Sequence, residues 1–157
     1  MTLRIVGFLV VGLAAIPLVL VGIYGVFPPP LTPLMVLRTL GYEATLKLPP
    51  PSGWRYRWVP LSAISAHLPR AVIAAEDTTF CAHRGFDRTA FNRAWEKYQA
   101  GEQTRGGSTI TQQAAKNAFL WPGRNALRKG IETALTPLLE VIWGKRRIME
   151  IYLNIVE

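Results

Sequence analysis

Two adjacent carboxylates, Glu76 and Asp77, close an apolar run that opens at Ala71. Phe80, His83 and Gly85 follow within nine residues of Glu76. The run from Pro69 to Ala75 suits a buried helix, with Pro69 at its first position, where a missing N–H costs little. A carboxylate delivered by a buried helix has restricted water and is a better base than one in solution. Glu76 is therefore the first candidate for general-base chemistry. The plainer reading is that the charge pair marks where a core helix reaches solvent.

A second cluster runs from Ser108 through Thr109, Gln112, Gln113, Lys116 and Asn117. The spacing predicts a helix over 108–120. Ile110, Ala114 and Ala118 share one face, while Thr109, Gln113 and Lys116 share another, with Gln112 beside it. A face of hydroxyl, amide and ammonium suits a sugar and a phosphate. Its glycine-led N-terminus would add backbone donors for an anion. A solvated helix face explains the same pattern without chemistry. A third pair, Arg128 and Glu132, stands four residues apart. By itself it fits an i, i+4 ion pair worth a few tenths of a kcal/mol.

Several elements must position these groups. Ser62 is a candidate N-cap for a short helix ending near His67. Asp87 caps another helix, whose Phe91, Ala94, Trp95 and Tyr98 form one stripe and read as core. Gly101 closes that helix, and Gly101–Gly107 reads as a mobile loop. From Asn125 a helical pattern places Leu127, Ile131, Leu135, Leu138 and Ile142 on one side, with Pro137 expected to kink or interrupt it. Gly144 and Lys145 mark a break. A last helix from Arg146 to Ile155 puts Ile148, Ile151, Tyr152 and Ile155 on a core stripe.

Ahead of these lies an uncharged stretch, Ile5–Phe27, longer than the roughly 20 residues that span a bilayer. Arg4 precedes it and the next basic residue is Arg38, which favours a cytoplasmic N-terminus. The length argues for a retained anchor over a cleaved signal peptide. Pro28–Pro33 makes a stiff exit, and Leu34–Leu40 a short helix ending at Gly41. Met35, Leu37 and Leu40 fit ordinary packing better than a lipid surface. Trp54, Tyr56 and Trp58 alternate with Arg55 and Arg57, as a strand or as an amphipathic rim at the membrane interface. The predicted division is an anchor over 1–30, a juxtamembrane linker over 31–60 and a domain over 61–157.

The 157 residues carry 18 Lys and Arg against 10 Asp and Glu, a net charge of +8. That balance suits an anionic partner. No basic run is interleaved with aromatics, so nucleic acid is not expected. The single cysteine, Cys81, excludes an internal disulfide, and no His/Cys spacing suggests zinc.

The ordered blocks resemble those of the peptidoglycan glycosyltransferases, glycosyltransferase family 51. Glu76-Asp77-x-x-Phe80-x-x-His83-x-Gly85-Phe86-Asp87 is similar to the family's first signature. Gly106 to Asn117 resembles its second. Arg128-Lys129-Gly130-Ile131-Glu132 and Lys145 to Asn154 resemble its later ones. With a short anchor and no second catalytic domain, the chain looks most like the monofunctional biosynthetic transglycosylases. It looks truncated at the C-terminus, since the family pattern runs past Glu157.

The resemblance implies a mainly α fold: an incomplete, lysozyme-like helical domain behind one N-terminal transmembrane helix. It implies polymerisation of lipid II on the outer face of a bacterial inner membrane. The acceptor 4-hydroxyl attacks the undecaprenyl-pyrophosphate-linked donor with inversion. Glu76 resembles the general base and Glu132 the second glutamate, holding Arg128 or a divalent cation (Mg or Mn) at the leaving group. Lys116 and Arg128 resemble the diphosphate-binding cations, with Ser108, Thr109, Gln112, Gln113 and Asn117 as neighbours. Asp77 and His83 look like supports for the signature loop, and Phe80 would line the cleft. No cofactor is certain. The implied partners are lipid II, the nascent strand, the membrane and other cell-wall synthesis proteins. The rivals are an inactive membrane-anchored interaction module and a lytic glycosidase.

Overall fold

The computed structural model describes residues 15–39, 56–102, 107–123 and 125–156. Among these the chain is helical and has no strand. Helix α1 is described over residues 15–26, and α2 spans Pro33–Thr39. A 3-10 turn at Leu61–Ala63 leads to α3 (His67–Glu76). Then come α4 (Arg88–Gln99), α5 (Ile110–Phe119), α6 (Ala126–Ile142) and α7 (Gly144–Ile155).

The core is built where α5 packs on α6 and α7. Ala114, Ala115 and Ala118 are buried on α5 and let its neighbours approach closely. Ile110, Leu139, Ile148 and Ile151 are fully buried. Each such side chain stabilises the fold by roughly 1.5–3 kcal/mol. α7 therefore carries the core stripe expected of it, and Tyr152 and Ile155 lie on it. The helix starts two residues earlier than the spacing predicts, at Gly144, whose φ of +64° ends α6 and turns the chain.

The first helix is tied to this core by its backbone. The Trp143 indole donates to the Val21 carbonyl at 2.7 Å. Arg147 donates to the carbonyls of Tyr24 (3.0 Å) and Phe27 (2.7 Å). The last carbonyls of a helix lack partners within it, and a cation there also meets the negative end of the helix dipole. Arg147 in turn lies 4.9 Å from the Trp58 ring centroid and pairs with Glu150 at 2.6 Å. Among the described residues no helix is long and apolar enough to cross a membrane, and residues 5–14 of the expected span lie outside them.

Several expectations need correction. Ser62 caps no helix: Leu61–Ala63 is a 3-10 turn with Pro60 before it and no side-chain cap. α3 starts at His67, which puts Pro69 at its third position, where an N–H is still without a helical partner. α3 has no buried residue. Only Val72 and Ile73 pack on the core, so the helix lies on the surface and Glu76 is exposed. Phe91, Trp95 and Tyr98 of α4 are 60%, 52% and 65% exposed, not core. Trp95 stacks on Tyr98 at 5.7 Å instead. On α6 the buried face is Arg128, Glu132, Leu135, Thr136 and Leu139, which leaves Leu127 and Ile142 exposed. α6 runs through Pro137 without interruption. Residues 56–60 form no strand. Trp54, Leu40, Gly41 and residues 103–106 of the expected loop lie outside the described residues.

Candidate active site

The two adjacent carboxylates have opposite environments. Asp77 is 6% exposed and accepts from the Ile110 N–H at 3.0 Å and from His83 Nε2 at 2.9 Å. The Gly85 N–H donates to His83 Nδ1 at 3.0 Å, so the ring proton sits on Nε2, facing Asp77. The Gly85 carbonyl accepts from the Thr109 hydroxyl at 2.6 Å. Thr109 and Gln112 form a reciprocal capping box at the start of α5. These bonds join the signature loop to the N-terminus of α5.

That closure uses donors the sequence reading assigned to substrate. The Ile110 N–H is taken by Asp77, and the Gln112 N–H by Thr109 at 3.2 Å. Thr109 and Gln112 are buried cap residues, at 2% and 6% exposure. Phe80, expected to line the cleft, is a core residue beneath Lys145, whose ammonium lies 4.4 Å from its ring centroid.

Glu76 points the other way, to solvent. Its carboxylate accepts from the Gln113 amide at 3.0 Å. The Tyr152 hydroxyl approaches Gln113 Oε1 at 3.4 Å. Burial pushes the Tyr152 phenol above its ordinary pKa, and the Glu76 charge adds to the shift. The phenol therefore stays protonated and able to donate. Sequence periodicity marks Tyr152 only as core; its polar end carried no separate signal. Glu76 also lines a shallow cleft of about 180 Å³ with Ser108, Thr109 and Arg93. Arg93 escaped the sequence reading because α4 was assigned to packing alone.

Lys116 and Asn117 lie three and four residues beyond Gln113, about one helical turn along α5. With Arg128 they line a cleft of about 320 Å³, whose other walls include Leu34, Leu120 and Trp121. Asn125 caps α6 by accepting from the Arg128 N–H at 2.7 Å, which fixes where α6 starts. The Arg128 guanidinium donates to Glu132 at 2.9 Å, and both side chains are over 90% buried. Lys129 pairs with the other Glu132 oxygen. Arg128 Nε is buried with no hydrogen-bond partner.

A divalent cation does not fit these residues. Glu132 already faces two positive charges, and a metal there would meet both. Among the described residues no group of three His, Cys, Asp or Glu side chains could hold a metal ion.

Residues 46–157 match the transglycosylase family model. The chain is 51% identical to a biosynthetic peptidoglycan transglycosylase of Caulobacter vibrioides, over 92% of this chain and 59% of that protein. It is 47% identical to one of Rhodospirillum centenum, over 99% of this chain and 64% of that protein. A third, of Bacteroides thetaiotaomicron, is 45% identical over 86% of this chain and 53% of its own length. The chain thus spans somewhat over half the length of the curated relatives it matches. Glu76, Lys116, Arg128 and Glu132 all fall within the matched stretch, and the chain belongs to the transglycosylase family.

Proposed function

We propose that this chain is the membrane-anchored, lysozyme-like catalytic part of a peptidoglycan glycosyltransferase that polymerises lipid II. One observation carries the reading. A solvent-facing carboxylate is held by Gln113, which lies one helical turn along α5 from Lys116, and Lys116 lines a cleft with Arg128. That is the layout needed to take a proton at one end and receive an anion at the other.

In this reading Glu76 removes the proton from the acceptor 4-hydroxyl. The oxygen forms a bond to the donor's anomeric carbon from the face opposite the pyrophosphate. The carbon–oxygen bond to undecaprenyl pyrophosphate breaks, its electron pair leaves with the diphosphate, and the configuration inverts. Lys116 and Arg128 stabilise the charge that develops there. Glu132 holds the Arg128 guanidinium and limits its motion. Bound substrate displaces water from Glu76, which strengthens a carboxylate as a base.

The N-terminal segment supports the membrane part of the proposal. α1 is apolar all round: Val21 and Tyr24 face the core, while Ile16, Leu18, Val19, Ile23 and Val26 are exposed. Such a helix is suited to lipid on its outer side. The orientation proposed is a cytoplasmic N-terminus with the catalytic part outside.

The test is polymerisation of labelled lipid II in detergent by the full-length protein and its Glu76→Gln variant. Glycan products from the first and a loss of at least about 100-fold in the second are expected, in line with removal of a general base. Equal activity in the variant would remove Glu76 from the mechanism.

A further inference from the structure

We propose that Leu34, with Leu120 and Trp121, forms the apolar wall that receives the first prenyl units of the substrate's lipid tail. The inference deepens the proposed function and rests on reading the Lys116–Arg128 cleft as the diphosphate site. Leu34 precedes the stretch that matches the transglycosylase model.

The composition of the cleft argues for a ligand with two unlike ends. Lys116, Asn117 and Arg128 supply cations and an amide, and Leu34, Leu120 and Trp121 supply hydrocarbon. A free phosphate gains nothing from that hydrocarbon; a prenyl diphosphate uses both walls. Arg128 is 7% exposed, and its Nε lies buried without a partner. An unsatisfied buried donor is costly, which marks Arg128 as a residue held for more than packing.

Leu34 is held in place by its neighbours. Met35 is 6% exposed, and its N–H donates to the Thr32 hydroxyl at 3.2 Å, itself buried. Met35 thus fixes α2 against α5, and Leu34, one residue earlier, stays half-buried on the cleft wall. Upstream, Phe27 and Leu31 are 64% and 47% exposed. The chain therefore offers apolar side chains from the end of α1 to the cleft, along the route a tail would take out of a bilayer.

The test is binding of farnesyl diphosphate and inorganic pyrophosphate, both soluble, to the full-length protein by titration calorimetry. The wild type should prefer farnesyl diphosphate. Leu34→Gln should weaken farnesyl diphosphate about tenfold and leave pyrophosphate unchanged. Trp121→Ala should give the same selective loss, and Leu34→Met should restore wild-type binding. Unchanged farnesyl diphosphate binding in Leu34→Gln, or equal loss of both ligands, overturns the lipid wall but leaves the cationic cleft standing. No binding of either ligand by the wild type overturns the diphosphate site and, with it, this inference.

Discussion

The Gln113 amide donates to the Glu76 carboxylate at 3.0 Å, joining α5 to the end of α3 across 37 residues of sequence. One side chain thereby sets the position of the proposed base relative to Lys116 on its own helix. Gln113→Leu removes the donor and keeps the helix. Turnover should fall about tenfold, less than in Glu76→Gln. In the double variant the Gln113 change should add almost nothing, because both act on one carboxylate. Additive losses in steady-state assays would mean that Gln113 works elsewhere.

Gly85 sits at φ +94°, and a Cβ there would meet Thr136 Cγ2 at 2.7 Å. Gly85→Ala should therefore cost roughly 2–4 kcal/mol, from backbone strain and overpacking together. Gly101 shares a positive φ of +76° but has nothing within 4 Å. Gly101→Ala should cost only about 1 kcal/mol. Denaturation midpoints of the two variants give the comparison directly.

The buried charges on α6 predict an asymmetry. Glu132 serves both Arg128 and Lys129. Glu132→Ala leaves a buried guanidinium without its partner and should destabilise by about 3 kcal/mol. Lys129 is 45% exposed, so Lys129→Ala should cost roughly 0.5 kcal/mol. Equal thermal shifts in the two variants would show that Arg128 finds another partner.

Asp87 gives a pH dependence. The Thr79 hydroxyl donates to it at 2.6 Å and the Ala90 N–H at 2.8 Å, which together hold its carboxyl below the ordinary value of 3.8. A depressed folded-state pKa contributes stability that is present above the unfolded value and lost as pH falls through the folded one. The melting-temperature gap between wild type and Asp87→Asn should thus be full near neutrality and close below about pH 4. A gap that widens in acid would contradict this.

Local chemistry was the most legible part of the sequence. Asp87 caps the helix assigned to it, because a cap needs only a side-chain oxygen and the N–H groups two or three residues on, whereas Thr109, read as part of a polar helix face, is the cap of α5. The α7 stripe was legible for the same kind of reason: its neighbours α5 and α6 are both present to cover it. The α4 stripe misled because periodicity reports an apolar face and not what lies over it. On α6 the buried face carries Arg128 and Glu132, so the hydrophobic pattern pointed about one position away from it. Within the site, helical spacing put Gln113 and Lys116 on one face and the family resemblance pointed to Asn117 and Arg128, but neither showed the exposure of Glu76. Exposure depends on tertiary neighbours, and Arg93, Tyr152 and Leu34 reach the site through such contacts alone.

The clamp between Asp77 and the start of α5 has a kinetic consequence. It ties the residue next to the proposed base to the helix bearing Lys116, one of the proposed cations. The gap between proton acceptor and leaving-group pocket then works like a fixed gauge. On the proposed reading, advance by one sugar unit cannot come from spreading these two groups apart. The polymer must slip through a stationary frame, so a covalent crosslink that locks Asp77's loop to α5 should leave the stepping rate untouched.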